Sequence, residues 1–138
     1  MKVSNQYWAG LFDGEGHIYF AKDLRHMTVG VTQKETAILF LLKGVFGGRV
    51  YKSHANTCHR WEAISKAQTL PFLEVIAPYV IIKAVEVQVA IEALSGFRNS
   101  KYNSGGMNPP LDAKELKRRK LLRDKMMTDR ADPKIIKN

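Results

Sequence analysis

Residues Trp8-Ala9-Gly10-Leu11-Phe12-Asp13-Gly14-Glu15-Gly16 carry the reading of the whole chain. Ser4-Asn5 offers an N-cap just before them, so Gln6 to Phe12 reads as a short helix. Gly10 and Gly14 stand one turn apart in that helix, and each costs roughly 1 kcal/mol against Ala in a helix interior. Together they leave a bare strip of backbone, opposite an apolar ridge of Trp8, Leu11 and Phe12. A bare strip suits a second backbone at very close range. Asp13 and Glu15 then put negative charge at the helix C-terminus, where the dipole is already negative. That arrangement is unfavourable without a cation nearby. The residues therefore ask for a close helix partner and a positive charge at the helix end.

The run Ala9-Gly10-Leu11-Phe12-Asp13-Gly14-Glu15-Gly16 resembles the signature of the LAGLIDADG homing endonucleases, with Glu in place of Asp at the metal-binding position. In that family two such helices pack side by side, and the last acidic residue binds divalent metal over DNA. The chain holds a single copy of the motif and no internal repeat. The resemblance therefore implies a homodimer, with Ala9, Gly10, Asp13 and Gly14 at the dimer interface. It also implies that Glu15 and the Gly14 carbonyl hold the metal.

With 138 residues the chain is long enough for one compact domain and its core. Hydrophobic content is that of a globular protein. The net charge of +9 favours a polyanionic partner, with double-stranded DNA the commonest. Cys58 is the only cysteine, which leaves no intrachain disulfide or zinc knuckle and points to a reducing compartment. A prokaryotic cytoplasm or an organellar matrix fits this. There is no run of 18 apolar residues and no signal-peptide pattern at the N-terminus, so a membrane is not expected.

Downstream of the motif, Ile18 and Phe20 alternate with His17, Tyr19 and Ala21, as in a half-buried strand. After a turn at residues 23–26, Met27, Val29 and Val31 alternate with Thr28, Gly30 and Thr32, completing a hairpin. Residues 35–46 read as an apolar helix ended by Gly47-Gly48. Residues 49–53 and 58–65 form a second hairpin, with Trp61 and Ala63 inward and Arg60 and Glu62 outward. Residues 67–77 read as a helix in which Pro71 is awkward unless it lies in the first turn. Pro78 breaks it, and residues 81–97 read as a long helix with Val85, Val89 and Leu94 on its apolar side.

This order gives an α+β class and matches the αββαββα core of the resembled family over about residues 5–97. The resemblance implies a four-stranded antiparallel sheet, saddle-shaped on DNA. The domain reading is a core over 1–97, a linker over 98–111 and a basic C-terminal helix and tail over 112–138. Asp112 caps that helix with Glu115 at the capping-box position. Its apolar side is Leu116, Leu121 and Leu122. Its crowd of basic residues, Lys117 and Arg118 among them, reads as phosphate contacts flanking the main site.

Phosphodiester hydrolysis needs a placed water, a sink for developing charge and help for the leaving oxygen, and metal held by carboxylates supplies much of this. Hard oxygen ligands suit Mg²⁺, with Mn²⁺ a possible substitute. In a homodimer two Glu15 carboxylates would meet on the two-fold axis, and metal relieves their repulsion. By resemblance, Gln33 in Val31-Thr32-Gln33-Lys34 orients the attacking water. By the same resemblance, Lys83 after Pro78-Tyr79-Val80-Ile81-Ile82 stands near the scissile phosphate. Ala37 replaces a basic residue that the family often carries early in the second helix, so the basic network is thinner or supplied from elsewhere.

Outward strand residues are the candidates for reading DNA: His17, Tyr19, His26, Thr28, Thr32, Lys52, His54, Arg60 and Glu62. The histidines lack metal-ligand spacing. An isologous dimer implies a pseudo-palindromic site of ~20 base pairs. The resemblance implies a site-specific, metal-dependent endonuclease in the setting of a mobile intron or intein. The competing reading is a non-cleaving protein on the same fold, either an intron maturase that also binds RNA or a DNA-binding regulator. A plain basic interaction module leaves the Gly10/Gly14 spacing and Glu15 without a reason.

Overall fold

The computed structural model describes residues 2–53, 57–98 and 111–131. The elements run α1 (Asn5–Glu15), β1 (Gly16–Phe20), β2 (Met27–Gln33), α2 (Thr36–Phe46), β3 (Arg49–Lys52), β4 (His59–Ala63), α3 (Lys66–Ile76), α4 (Ala84–Leu94) and α5 (Ala113–Ala131). The strands form one antiparallel sheet in the order β1-β2-β4-β3. The fold class is therefore the α+β arrangement that the alternation patterns predict. Ser4 caps α1, its hydroxyl accepting from the Tyr7 N–H at 3.1 Å.

Period-two alternation decides which side of the sheet is dry. Ile18, Phe20, Met27, Val29, Val31, Trp61 and Ala63 are buried on the helix-covered face. Phe72 of α3 is the meeting point of the core. Its ring lies 5.6 Å from Phe12 of α1, 5.0 Å from Phe46 of α2 and 5.1 Å from Trp61 of β4. The Trp61 indole N–H donates to the Gly47 carbonyl at 2.8 Å, so the buried ring leaves no unmet donor.

Several boundaries differ from the sequence reading. Pro71 lies inside α3, past its first turn, but it is exposed, so water can reach the carbonyl left without a partner. The helix expected over 81–97 is shorter at both ends. At its start, the N–H groups of Ile81 and Lys83 are drawn to the Asp13 carboxylate. At its end, Gly96 and Phe97 bond back only three residues, to Ala93 and Leu94, which tightens the chain into turns. Val85 is exposed; Val87, Val89, Ala90, Ala93 and Leu94 make the buried side.

The last helix differs most. Asp112 does cap it, accepting from the Glu115 N–H at 2.8 Å. However, Leu116 and Leu121 are exposed, and the residues it buries are Arg119 and Met126. The arginines run along the free edge of β1. Arg119 donates to the carbonyls of Leu24 at 2.8 Å and Gly96 at 2.7 Å. Arg123 donates to the carbonyl of Phe20 at 2.9 Å, and Arg130 to that of Ile18 and to Glu86. An edge strand exposes unpaired carbonyls that invite another chain, and these guanidinium groups satisfy them from within. Helix α5 is thus built into the core that β1 and α4 share, and is not an appendage.

Two glycines should respond oppositely to substitution. Gly44 lies within α2 with open space where a Cβ would go. Gly48 has φ 91° and would place a Cβ 2.4 Å from the Glu62 carbonyl oxygen. Denaturant melts should show Gly44→Ala more stable by about 0.5–1 kcal/mol, and Gly48→Ala less stable by about 1–3 kcal/mol.

Candidate metal centre and nucleic-acid interface

The C-terminus of α1 is tied to the segment before α4. The Asp13 carboxylate accepts from the Ile81 N–H at 2.8 Å and the Lys83 N–H at 3.1 Å. The Lys83 ammonium donates to the Asp13 carbonyl at 2.7 Å and lies 6.0 Å from the Phe12 ring centre. Lys83 thus supplies a positive charge at the negative end of the helix. Asp13 has a structural role within the chain. The Gly16 N–H takes the Phe12 carbonyl, so Gly14 is next along the helix end, with Glu15 beside it. Both Gly14 and Glu15 are exposed.

Gly16 faces Val31 across the β1–β2 pair, and Gln33 lies two residues further along β2. Gln33 is therefore at the end of the sheet where α1 finishes. Its side-chain oxygen accepts from the Lys34 N–H at 2.8 Å. The fold thus gathers Glu15, Gly14, Lys83 and Gln33 at one end. Ala37 is exposed at the start of α2.

The bare strip is present on α1. An added Cβ at Gly10 or Gly14 would meet nothing within 4 Å. Ala9, expected at a dimer interface, is instead buried within the core of the chain itself. The helix turns Trp8, Ala9 and Phe12 inward, so position 9 falls on the covered side.

The uncovered face of the sheet carries the polar parity. His17 lies opposite Gly30, Gly30 opposite Glu62, and Glu62 opposite Arg49. The next row is Thr32, Arg60 and Tyr51. Gly30 is required here, because a Cβ would lie 2.8 Å from the Trp61 carbonyl oxygen as well as 2.6 Å from the His17 ring. Burial, with the Arg60 guanidinium next, holds the His17 imidazole below its usual pKa, so it is neutral near pH 7. Glu62 bonds Arg49 at 3.0 Å and pairs with Arg60 at 3.9 Å; Arg60 also donates to Thr32 at 3.3 Å. Glu62 itself is nearly buried. Tyr19 is exposed, Thr28 half-buried, and exposed His26 sits 2.6 Å from Asp23 at the hairpin turn.

One expected outward residue is placed otherwise. Lys52 shares the parity of half-buried Val50, not that of Arg60, although it is exposed at the end of β3. His54 lies outside the described residues. Sequence reading missed Arg49 and Tyr51, which take the outward positions of β3. The apolar Val50 between them was the available signal. On α5, Lys117 is exposed, whereas Arg118 is committed to Glu115, to the Glu92 carbonyl and to Ser95.

No family model matches the chain, and no curated protein matches it. Solved structures do. I-CvuI, in complex with a DNA target in the presence of Mg, is 20% identical, with a TM-score of 0.69 over 96% of this chain and 85% of that one. The archaeal intron-encoded I-Vdi141I complexed with DNA is 20% identical, with a TM-score of 0.68 over 91% and 82%. I-SmaMI bound to cleaved DNA is 19% identical, with a TM-score of 0.54 over 99% of this chain but 52% of that one. The fold is that of the LAGLIDADG homing endonucleases. Among the described residues no helix is long and apolar enough to cross a membrane.

The two acidic residues of the motif should separate in stability. Asp13→Ala strands the N–H groups of Ile81 and Lys83 and should cost about 1–3 kcal/mol in a denaturant melt. Glu15→Ala, at an exposed site, should stay within about 0.5 kcal/mol of the parent.

His17 sets a pH dependence. Its folded pKa is below the ordinary 6.5, so the unfolded chain binds the extra proton first. Its contribution to stability is complete above pH 6.5 and is lost as pH falls from there through the folded pKa. NMR titration should place the His17 midpoint below 6.5, and His17→Gln should flatten the stability profile in that window.

Proposed function

We propose that the chain is one subunit of a homodimeric, divalent-metal-dependent endonuclease that cuts double-stranded DNA at a long pseudo-palindromic site. The observation that carries this reading is the state of α1. Its strip at Gly10 and Gly14 opens onto nothing within the subunit, while Glu15 stands exposed at the end of that strip. Tyr7 on the same face and Ile81 beside Asp13 keep large apolar side chains at the surface, as an interface does.

One subunit alone makes a poor cation site: among the described residues no three His, Cys, Asp or Glu converge. Two subunits joined along the α1 strips bring together two Glu15 carboxylates and two Gly14 carbonyls, a hard-oxygen set that fits Mg²⁺. Bound there, the metal would polarise the phosphodiester and activate water. Asp13 holds α1 against the 81–83 segment. Lys83 keeps a cation at the site, with ammonium protons beyond the one given to Asp13 to offer a phosphate oxygen. Gln33, at the same end, is suited to orient a water. The uncovered sheet face would lie along the major groove.

The test is cleavage of a randomised duplex library with Mg²⁺, beside EDTA and Glu15→Gln controls. Cut ends sharing a pseudo-palindromic consensus should appear only with metal and intact Glu15, and Glu15→Gln should bind the same consensus uncut. A bound consensus without cut ends replaces this reading with a non-cleaving DNA or RNA binder. Gly10→Leu should shift sedimentation from dimer to monomer. A Cβ there meets nothing within the subunit, so monomer stability is no confounder. An unchanged dimer would reject the strip as the interface.

A further inference from the structure

The two arginines on the uncovered sheet face are held differently. Arg60 turns its Nε to Thr32 at 3.3 Å and one terminal nitrogen toward Glu62 at 3.9 Å. Arg49 has a side chain 65% exposed, and its guanidinium lies 4.8 Å above the Tyr51 ring. Among the described residues it gives one proton of a single terminal nitrogen, Nη2, to Glu62 at 3.0 Å, which leaves the other Nη2 proton and a neighbouring N–H of the same edge as a fork for a ligand. The carboxylate that anchors it is only 11% exposed, walled by the register partners Gly30 and Arg49 and by Arg60. The plane of Arg49 is thus fixed from below by an aromatic face and from the side by a nearly buried anion.

We propose that Arg49 reads one guanine in each half-site, and that Glu62 and Tyr51 are the residues that position it. This deepens the DNA-binding reading above and rests on it. Two parallel N–H groups in a fixed plane match the O6 and N7 acceptors of guanine in the major groove. A phosphate contact does not need a fixed plane, since an ammonium also binds phosphate as a point charge. A carboxylate at the side of the guanidinium also repels a phosphate but not a neutral base edge. Stacking and ion pairing restrict the arginine before binding, so little side-chain freedom remains to be lost on DNA. Arg60 has fewer donors turned outward and serves as the second counter-charge for Glu62.

The experiment compares binding consensus sequences selected by the parent, Arg49→Lys and Glu62→Gln from one duplex library, without metal activity in the readout. The parent should select a guanine at one symmetric position. Arg49→Lys should lose about tenfold to hundredfold preference at that position alone. Glu62→Gln should lose preference at the same position by a smaller factor, a change that a purely structural role for Glu62 would not produce. If Arg49→Lys weakens all sequences equally and changes the salt slope while the consensus stays intact, Arg49 is a phosphate contact and the proposal is wrong. If both variants keep the parental consensus, the proposal is also wrong. A parent with no consensus overturns the DNA-binding reading itself.

Discussion

The contact between Asp13 and the segment before α4 supports everything at the candidate site. A helix ending in two acidic residues works against its own dipole. Here one of those carboxylates is turned inward to accept two backbone N–H groups, and Lys83 returns a positive charge to the helix end. The exchange joins residues 70 positions apart in the chain. It fixes the direction in which α1 leaves the core, and so where Glu15 stands. It also sets where α4 begins, because the N–H groups given to Asp13 are withheld from a preceding helical turn. Asp13 and Glu15, two residues apart, thereby acquire opposite roles, one internal and one exposed.

The sheet shows how much a register decides. Its covered face is filled by aliphatic and aromatic side chains that converge on Phe72. Its uncovered face carries a row in which His17 rests over Gly30 and Glu62 collects two arginines. The row mixes charge with neutrality: burial and Arg60 keep His17 uncharged, and Glu62 cancels part of the arginine charge. What remains is a shaped polar surface and not a uniform basic one.

Helix α5 shows that a basic run need not be a nucleic-acid arm. Arg119, Arg123 and Arg130 donate to carbonyls along the edge of β1 and its turn. The strand that follows the motif helix, and carries His17 and Tyr19, is thereby closed on its open side. Leu24 in that turn holds φ 64°, unusual for a residue with a side chain, and its burial together with the Arg119 bond offsets the cost. The exposed lysines of α5 remain at the surface.

Local sequence by itself determined the strands, through strict alternation in 16–22 and 27–32, the caps at Ser4 and Asp112, and the bare strip at Gly10 and Gly14. These are properties of neighbours in the chain, where period and cap chemistry act directly. Tertiary structure alone decided the start of α4, the inward turn of Ala9, the outward place of Arg49 and Tyr51, and the use of the α5 arginines. Each depends on a partner far away in sequence: Asp13 for Ile81, the core for Ala9, Glu62 for Arg49, the β1 edge for Arg130. Composition records that an arginine is present and charged. Only the fold determines whether its guanidinium meets a carbonyl of its own chain or is left open to a ligand.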